Sequence, residues 1–190
     1  MASAKEEYTI SITFTRSGHN NRTPWLFVIH PTGSEKGVRL HVKAVGEIDK
    51  PKTNSQDALP PKYSFLARED AYVENYRCWG RVIIRSGLSK AEADDYQRII
   101  ENQNLSDMVD GFRDCQKWMV ECLALMGFSE GYIKFWDGLK GKNVWEIEEA
   151  MANNKNFGLE FMQGPSYLDR DLAIAMGFGG PDEDKHAKIR

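Results

Sequence analysis

Residues 8–15 read Tyr-Thr-Ile-Ser-Ile-Thr-Phe-Thr, an almost perfect alternation of apolar and hydroxyl side chains. A period of two with β-branched residues predicts a half-buried β-strand. Residues 25–29, Trp-Leu-Phe-Val-Ile, form a continuous apolar run, which is typical of a central strand buried on both faces. The chain therefore begins as a sheet.

The strands continue beyond this run. Residues 25–30 and 38–45 are predicted to form a hairpin, in which Arg39, His41 and Lys43 share the polar face of the second strand. Two further strands are predicted at 62–67 and around 76–85. Between them and the hairpin, residues 49–61 hold three prolines and mostly polar residues, which predicts a loop able to act as a flap.

Helix signals begin at residue 89. Ser89-Lys90-Ala91-Glu92 is a capping box that predicts a helix over 90–103. After a linker at 104–113, a second helix is expected to start at Asp114 or Cys115 and to end near Gly127. Shorter helices are predicted at 142–153 and 166–176, followed by a frayed tail at 177–190.

This order predicts an α+β fold in which a mainly antiparallel N-terminal sheet is followed by helices. Residues 1–190 are expected to form a single compact domain, sheet-rich over 8–85 and helical over 89–176, because one domain usually holds about 100–200 residues.

Composition excludes several classes of protein. The 190 residues carry 25 Lys and Arg against 28 Asp and Glu, a net charge of −3 without clustered cations, which argues against nucleic-acid binding. Three Cys and four His do not suggest a disulfide scaffold or a zinc module. The sequence shows neither a secretory signal nor an apolar run long enough to span a membrane, so we expect a cytoplasmic protein.

Familiar cofactor and metal signatures do not occur. There is no glycine-rich phosphate loop, dinucleotide fingerprint, paired Cys-x-x-Cys or zinc-protease motif. We therefore expect no cofactor and no metal, and a small molecule as the partner. The oligomeric state is left open.

Cys115 is the candidate nucleophile. It lies at the predicted start of the second helix, where the helix dipole and free amides would lower the pKa of its thiol and could supply an oxyanion hole. His41 is the candidate base, and Gln116 is a candidate polar contact to substrate. The alternative is structural, since Cys115 is in phase with Trp118 and Cys122 and free cysteines are usually buried.

Aromatic residues suggest a second kind of site. Five tryptophans are spread along the chain, and some of them could line an apolar pocket with a few polar groups. Trp25 and Trp118 are the candidates for substrate contact, with Arg39 as a charged neighbour of His41.

The stretches Pro24–Ile29, Gly37–Val42 and Asp114–Met119 together resemble a group of uncharacterised fungal proteins. More distantly, residues 8–127 resemble the circularly permuted papain-like proteins, which include the lecithin:retinol acyltransferase-like and NlpC/P60-like enzymes. The resemblance implies a histidine on an early strand and a cysteine that opens a later helix. The position of that histidine is occupied by Pro24, so only His41 could replace it.

Three functions follow as hypotheses. The first is a small intracellular enzyme that acts on a small organic or acyl substrate by cysteine-dependent hydrolysis or acyl transfer, with fungal natural-product metabolism as the setting that the resemblance suggests. The second is a protein that acts on or binds a small molecule through a pocket and needs no thiol. The third is a protein-interaction module without chemistry, which would show an exposed apolar patch instead of a pocket.

Overall fold

The structure, a computed structural model, describes residues 6–15, 23–45, 62–74, 77–105, 111–168 and 171–172. The predicted loop at 49–61 and the predicted tail at 177–190 lie outside these residues, as does most of the predicted helix at 166–176. Within the described parts the architecture is α+β, as the sequence predicts.

An antiparallel sheet accounts for all six strands of the described ranges. The strands are β1 (Tyr8–Thr15), β2 (Trp25–Pro31), β3 (Lys36–Val45), β4 (Lys62–Tyr72), β5 (Cys78–Leu88) and β6 (Phe161–Gln163). Their order across the sheet is β4-β3-β2-β1-β5-β6, and every neighbouring pair is antiparallel. The predicted hairpin between β2 and β3 is confirmed, with Phe27 opposite Leu40.

Four helices follow β5 in the described part of the chain: α1 (Lys90–Glu101), α2 (Gly111–Leu125), α3 (Glu130–Gly138) and α4 (Val144–Asn153). The capping box at Ser89 is present, because its side chain accepts the amide of Glu92 while the Glu92 carboxylate accepts the Ser89 amide. Asn143 and Glu146 cap α4 in the same way.

Two elements were not predicted. The helix α3 carries glycines near both ends, which weakens its propensity, but Tyr132 and Trp136 bury the same face against the core and stabilise it. The strand β6 has only three residues, too few for a periodic pattern. Its backbone extends the sheet beyond β5 through pairs such as Gly80 with Gln163.

The main core lies between one face of the sheet and the helices. On β1 this face carries Ile10, Ile12 and Phe14, all fully buried, and the helices contribute residues such as Trp118 and Trp136. We call it the helix face. None of the helices in the described ranges is long and apolar enough to cross a membrane.

The opposite face of the sheet, which we call the second face, is also buried in its centre. Five buried apolar residues lie outside the helix-side core cluster: Leu26, Val28, Ala71, Val73 and Cys78. The central strand β2 is thus buried on both faces, as its continuous apolar run predicts. The prediction of a half-buried β1 was wrong, because its hydroxyl face is buried as well.

Candidate functional site

The predicted start of α2 was wrong, and this changes the setting of Cys115. The helix begins at Gly111, so Cys115 is its fifth residue, one turn from the N-terminus. Only the first four amides of a helix are free. The amides of Cys115 and Gln116 therefore belong to the helical hydrogen-bond ladder and are not oxyanion donors.

The fold does not bring Cys115 and His41 together. The Cys115 thiol donates to the backbone carbonyl of Val42, with Sγ 3.6 Å from the oxygen. The Val42 side chain belongs to the helix-side core, and successive strand residues point to opposite faces. The His41 side chain therefore lies on the second face, and the sheet separates it from the thiol.

Gln116 acts as a structural brace, and its predicted contact to substrate stays a prediction. Its side chain is 1% exposed. Its Nε2 donates to the carbonyl of Thr23 at 3.2 Å, and its Oε1 accepts the amide of Gly141 at 2.8 Å. Both ends of the amide are thereby used to tie α2 to the start of β2 and to the turn before α4.

Trp25 and Trp118 pack in the core instead of lining a pocket. Trp25 makes edge contacts with Trp136 at 5.5 Å between ring centroids and with Phe14 at 6.2 Å. Trp118 lies edge-on to Phe27 at 6.1 Å. The aromatic pocket anticipated from the tryptophans is therefore filled by the rings themselves.

Arg39 lies on the second face, as its strand position predicts. Its Nη2 donates to the backbone carbonyl of Tyr72 at 2.6 Å, which ties β3 to the end of β4. Burial first, and then the charge of Arg68 opposite it, lower the pKa of the Arg39 guanidinium. A cavity opens on this second face, and Arg39 is not one of the residues that line the cavity.

That cavity, which we call the second-face pocket, has a volume of about 520 Å³. Its wall includes Thr9 and His30 from β1 and β2, Thr32 from the turn after β2, Arg81 from β5 and Glu74 from the segment after β4. The volume lies within the range of about 300–1,000 Å³ that is usual for small-molecule sites. With Pro165 also in its wall, the pocket brings together residues from five separated parts of the sequence.

An ion pair closes one side of the second-face pocket. Glu74 Oε1 lies 2.7 Å from Nε of Arg81, and both side chains are partly exposed. Because Glu74 is the second residue after β4 and Arg81 lies on β5, the pair connects strands that β3, β2 and β1 separate in the sheet. The end of β4 therefore reaches across the second face to β5.

His30 is the most unusual side chain of the pocket. It is 5% exposed, and its Nδ1 lies 2.9 Å from the carbonyl oxygen of Pro31. Since a carbonyl only accepts, Nδ1 must carry the proton, and Nε2 of the neutral ring is then an acceptor. That Nε2 is buried and has no hydrogen-bond partner within the described ranges.

Electrostatics keep this imidazole neutral. Burial is the largest cause and lowers the pKa of His30 below its usual value of 6.5, with the charge of Arg81 acting in the same direction. The carbonyl of Pro31 and the backbone of Ser34 oppose this shift. At neutral pH the ring is therefore uncharged, and its buried Nε2 carries no proton.

Two more polar groups lie deeper on the same face. The hydroxyls of Ser11 and Thr13 are fully buried, and no described residue hydrogen-bonds to them. In the sheet register Ser11 lies opposite Ile83 and Thr13 opposite Arg81, and both of these partners line the second-face pocket. The part of the second face behind the pocket therefore holds two buried hydroxyl groups that lack hydrogen-bond partners among the described residues.

Sequence reasoning missed this site. The sequence patterns gave His30 no role in a site, and they predicted that only one face of β1 is buried. One signal was available: a histidine that closes a strand buried on both faces must itself be buried and needs partners. The contribution of Glu74 and Arg81 depends on the sheet order, which the sequence does not reveal.

Within the described residues, no group of three or more His, Cys, Asp or Glu side chains is placed to hold a metal ion. Comparison with protein-family models, with curated proteins and with solved structures finds no match to this chain. The second-face pocket is therefore the feature of the described residues from which a function can be inferred.

Proposed function

We propose that the protein binds a small molecule in the second-face pocket, with His30 as the central contact. The observation that carries the proposal is the buried, unpartnered Nε2 of His30. A buried acceptor without a donor costs about 1–3 kcal/mol. Among the buried side-chain atoms that lack a hydrogen-bond partner in the described residues, Nε2 of His30 is the only acceptor on the pocket wall. A ligand that donates a hydrogen bond to Nε2 removes this cost.

The surroundings of His30 support the same proposal. The Pro31 carbonyl fixes the imidazole tautomer, so the acceptor is formed before a ligand arrives. Val73 and Ile83 add apolar surface to the wall, while Arg81 and Glu74 add an ion pair. Apolar walls with a few placed polar groups are typical of small-molecule sites.

This proposal corresponds to the hypothesis of a pocket that needs no thiol. The alternative of cysteine-dependent hydrolysis or acyl transfer, with Cys115 as nucleophile and His41 as base, is not supported by the geometry, since the sheet separates the two side chains. In the proposed function Cys115 has a packing role only.

Methyl NMR of the full chain tests the proposal directly. Isoleucine and valine methyl groups would be labelled with ¹³C, and a library of neutral, cationic and anionic fragments would be added. We expect binders to shift the Val73 and Ile83 signals, because both residues line the pocket. Val144 and Ile147, fully buried in the helix-side core, serve as internal controls that stay unchanged.

A matched pair of variants separates the site from the rest of the second face. His30→Phe removes the Nε2 acceptor and should abolish the shifts at Val73 and Ile83. His41→Phe makes the same substitution on β3, outside the pocket wall, and should leave them intact. A library in which no compound moves the Val73 and Ile83 signals contradicts the proposed function.

A further inference from the structure

Building on the proposed function, we propose that the ligand is a neutral polyol, such as a monosaccharide, held in the second-face pocket through its hydroxyl groups. The inference depends on three properties of the pocket wall: its charge balance, its pattern of hydrogen-bond donors and acceptors, and one exposed aromatic ring.

The charge balance disfavours an anion. Arg81 is the only Lys or Arg among the described residues that line the pocket, and Glu74 already neutralises it at 2.7 Å. Glu35 adds a second carboxylate to the wall. An incoming carboxylate or phosphate would meet two negative charges and, among the described residues that line the pocket, no unpaired cation, which is unfavourable in a partly desolvated site.

The donor and acceptor pattern favours hydroxyl groups. The neutral His30 Nε2 and the Glu74 carboxylate only accept, whereas the Arg81 guanidinium only donates. A hydroxyl both donates and accepts, so adjacent hydroxyls of a polyol can satisfy these neighbours together. An ammonium group could only donate, so it could not accept a hydrogen bond from Arg81.

The hydroxyls of Thr9 and Thr32 extend this pattern. Their Oγ1 atoms are 3.0 Å apart, so one hydroxyl donates to the other. That bond uses one of the two hydroxyl hydrogens, and the second remains available to a ligand. The pair therefore offers both a donor and acceptor lone pairs at the wall that His30 shares.

The wall of the same pocket also includes an aromatic ring, that of Tyr72. Tyr72 lines the wall although the residue is 54% exposed, and the ammonium of Lys36 lies 5.3 Å from its ring centroid. Sugar rings carry a face of C–H groups that packs on aromatic rings, while their hydroxyls point to polar neighbours. Tyr72 and the polar wall together match such a two-sided ligand.

The test uses the methyl-labelled full chain and three classes of probe at equal concentrations. D-ribose, D-glucose and glycerol represent polyols, sodium phosphate and sodium acetate represent anions, and spermidine represents cations. We expect at least one polyol to shift Val73 and Ile83, and the anions and spermidine to leave both signals in place.

A pair of variants provides a second test, in which the affinity for a polyol is measured. Glu74→Gln removes the carboxylate acceptor and should weaken polyol binding about tenfold, the loss expected for a hydrogen bond to a charged group. Glu69→Gln makes the same change of charge on β4 outside the pocket wall and should leave the affinity unchanged.

The outcomes separate the two proposals. Shifts at Val73 and Ile83 from phosphate, acetate or spermidine but not from any polyol would overturn the ligand class and leave the proposed binding function intact. Equal affinities of Glu74→Gln and wild type for a bound polyol would also contradict the inference. A complete absence of shifts, extended to the wider fragment library, would overturn both proposals.

Discussion

The hydroxyl of Thr13 is a polar group that the folded chain does not satisfy within its described residues. Thr13→Val replaces the hydroxyl with a methyl group of similar shape. We expect the free energy of unfolding to stay unchanged or to rise by up to about 1 kcal/mol, because an unpaired buried polar group is removed. Urea denaturation measures this change.

Thr9→Val is the matched control on the same strand and face. It breaks the hydrogen bond to Thr32 and should lower the free energy of unfolding by about 1 kcal/mol. If Thr13→Val were as destabilising as Thr9→Val, the buried Thr13 hydroxyl would have a partner that this account does not include.

The three thiols differ in their surroundings. Burial raises the pKa of Cys78 to about 11, and burial also raises the pKa of Cys122 well above its usual value. Cys115 is only partly buried. Since the thiolate is the reactive form, we expect iodoacetamide at pH 8 to modify Cys115 before the other two.

Mass spectrometry of peptides from the native and the urea-unfolded chain would measure this order. Modification of Cys115 should leave ligand shifts at Val73 and Ile83 intact, because the thiol lies on the helix side of the sheet. Loss of those shifts after selective alkylation of Cys115 would instead support a function that depends on the Cys115 thiol.

At the scale of elements, the position of α2 depends on Gln116. Gln116→Met keeps the side-chain length but leaves the Thr23 carbonyl and the Gly141 amide without their partner. We expect a loss of about 2 kcal/mol in the free energy of unfolding. Lys117→Met, at the exposed neighbouring position, should change it by less than about 0.5 kcal/mol.

A comparable effect of both α2 variants in chemical denaturation would mean that Gln116 is not the brace that its two hydrogen bonds indicate. A loss of unfolding free energy confined to Gln116→Met would support this role of Gln116.

The segment after β6 is held against β5 by a close approach at Gly164. Its amide donates to the Trp79 carbonyl at 2.8 Å, and a Cβ at this position would lie 2.5 Å from the Cys78 carbonyl oxygen. Gly164→Ala should therefore displace this segment, including Pro165, which lines the second-face pocket.

Hydrogen exchange tests this displacement at the Gly164 position and at Ser166, whose amide donates to the Cys78 carbonyl. We expect both amides to exchange faster in Gly164→Ala. Gly138→Ala is the control, since no atom lies within 4 Å of its added Cβ, and it should leave both exchange rates unchanged. Unchanged protection in Gly164→Ala would contradict the close packing.

The elements show where sequence patterns were sufficient. The alternation of 8–15, the apolar run of 25–29 and the capping box at Ser89 each reflect local physics, and all three elements are present. The start of α2 was wrong by three or four residues because Gly111 is a poor helix former that the pattern did not include. That error alone made Cys115 look like a helix N-terminal thiol.

For the whole molecule, we expect protonation of His30 to contribute to the pH dependence of the free energy of unfolding. Its pKa is lower in the folded chain than the unfolded value of about 6.5, mainly through burial, so the unfolded chain binds the proton more readily. The contribution of His30 is complete above pH 6.5 and is lost as the pH falls through the folded pKa. Arg81, Glu74 and Glu35 are the charged groups that share its pocket.

The comparison is between free energies of unfolding at pH 7.5 and pH 5.5, above the usual range in which carboxylates titrate. Wild type should lose stability between these values, and His30→Gln should lose less. Equal losses in the two proteins would show that His30 does not titrate differently in the folded and unfolded chains.

The candidate site belongs to the whole molecule, which is why sequence reasoning did not find it. Thr9 and His30 lie opposite each other on β1 and β2, which follow one another in the chain, but Glu74 and Arg81 join them only because the end of β4 crosses to β5. Local patterns do not encode that crossing. They predicted five of the six strands in the described ranges and a half-buried β1, whereas the fold also buries the hydroxyl face of β1.

The central claim is that the second-face pocket is the functional site and that its bare acceptor is Nε2 of His30. Imidazole ¹⁵N NMR of the full chain at pH 7, with and without a pocket-binding polyol or fragment, measures this most directly. We expect a neutral His30 with the proton on Nδ1, and a shift of the Nε2 signal toward hydrogen-bonded values when the ligand is added. A proton on Nε2 in the free protein, or an Nε2 signal that no ligand moves, would contradict it.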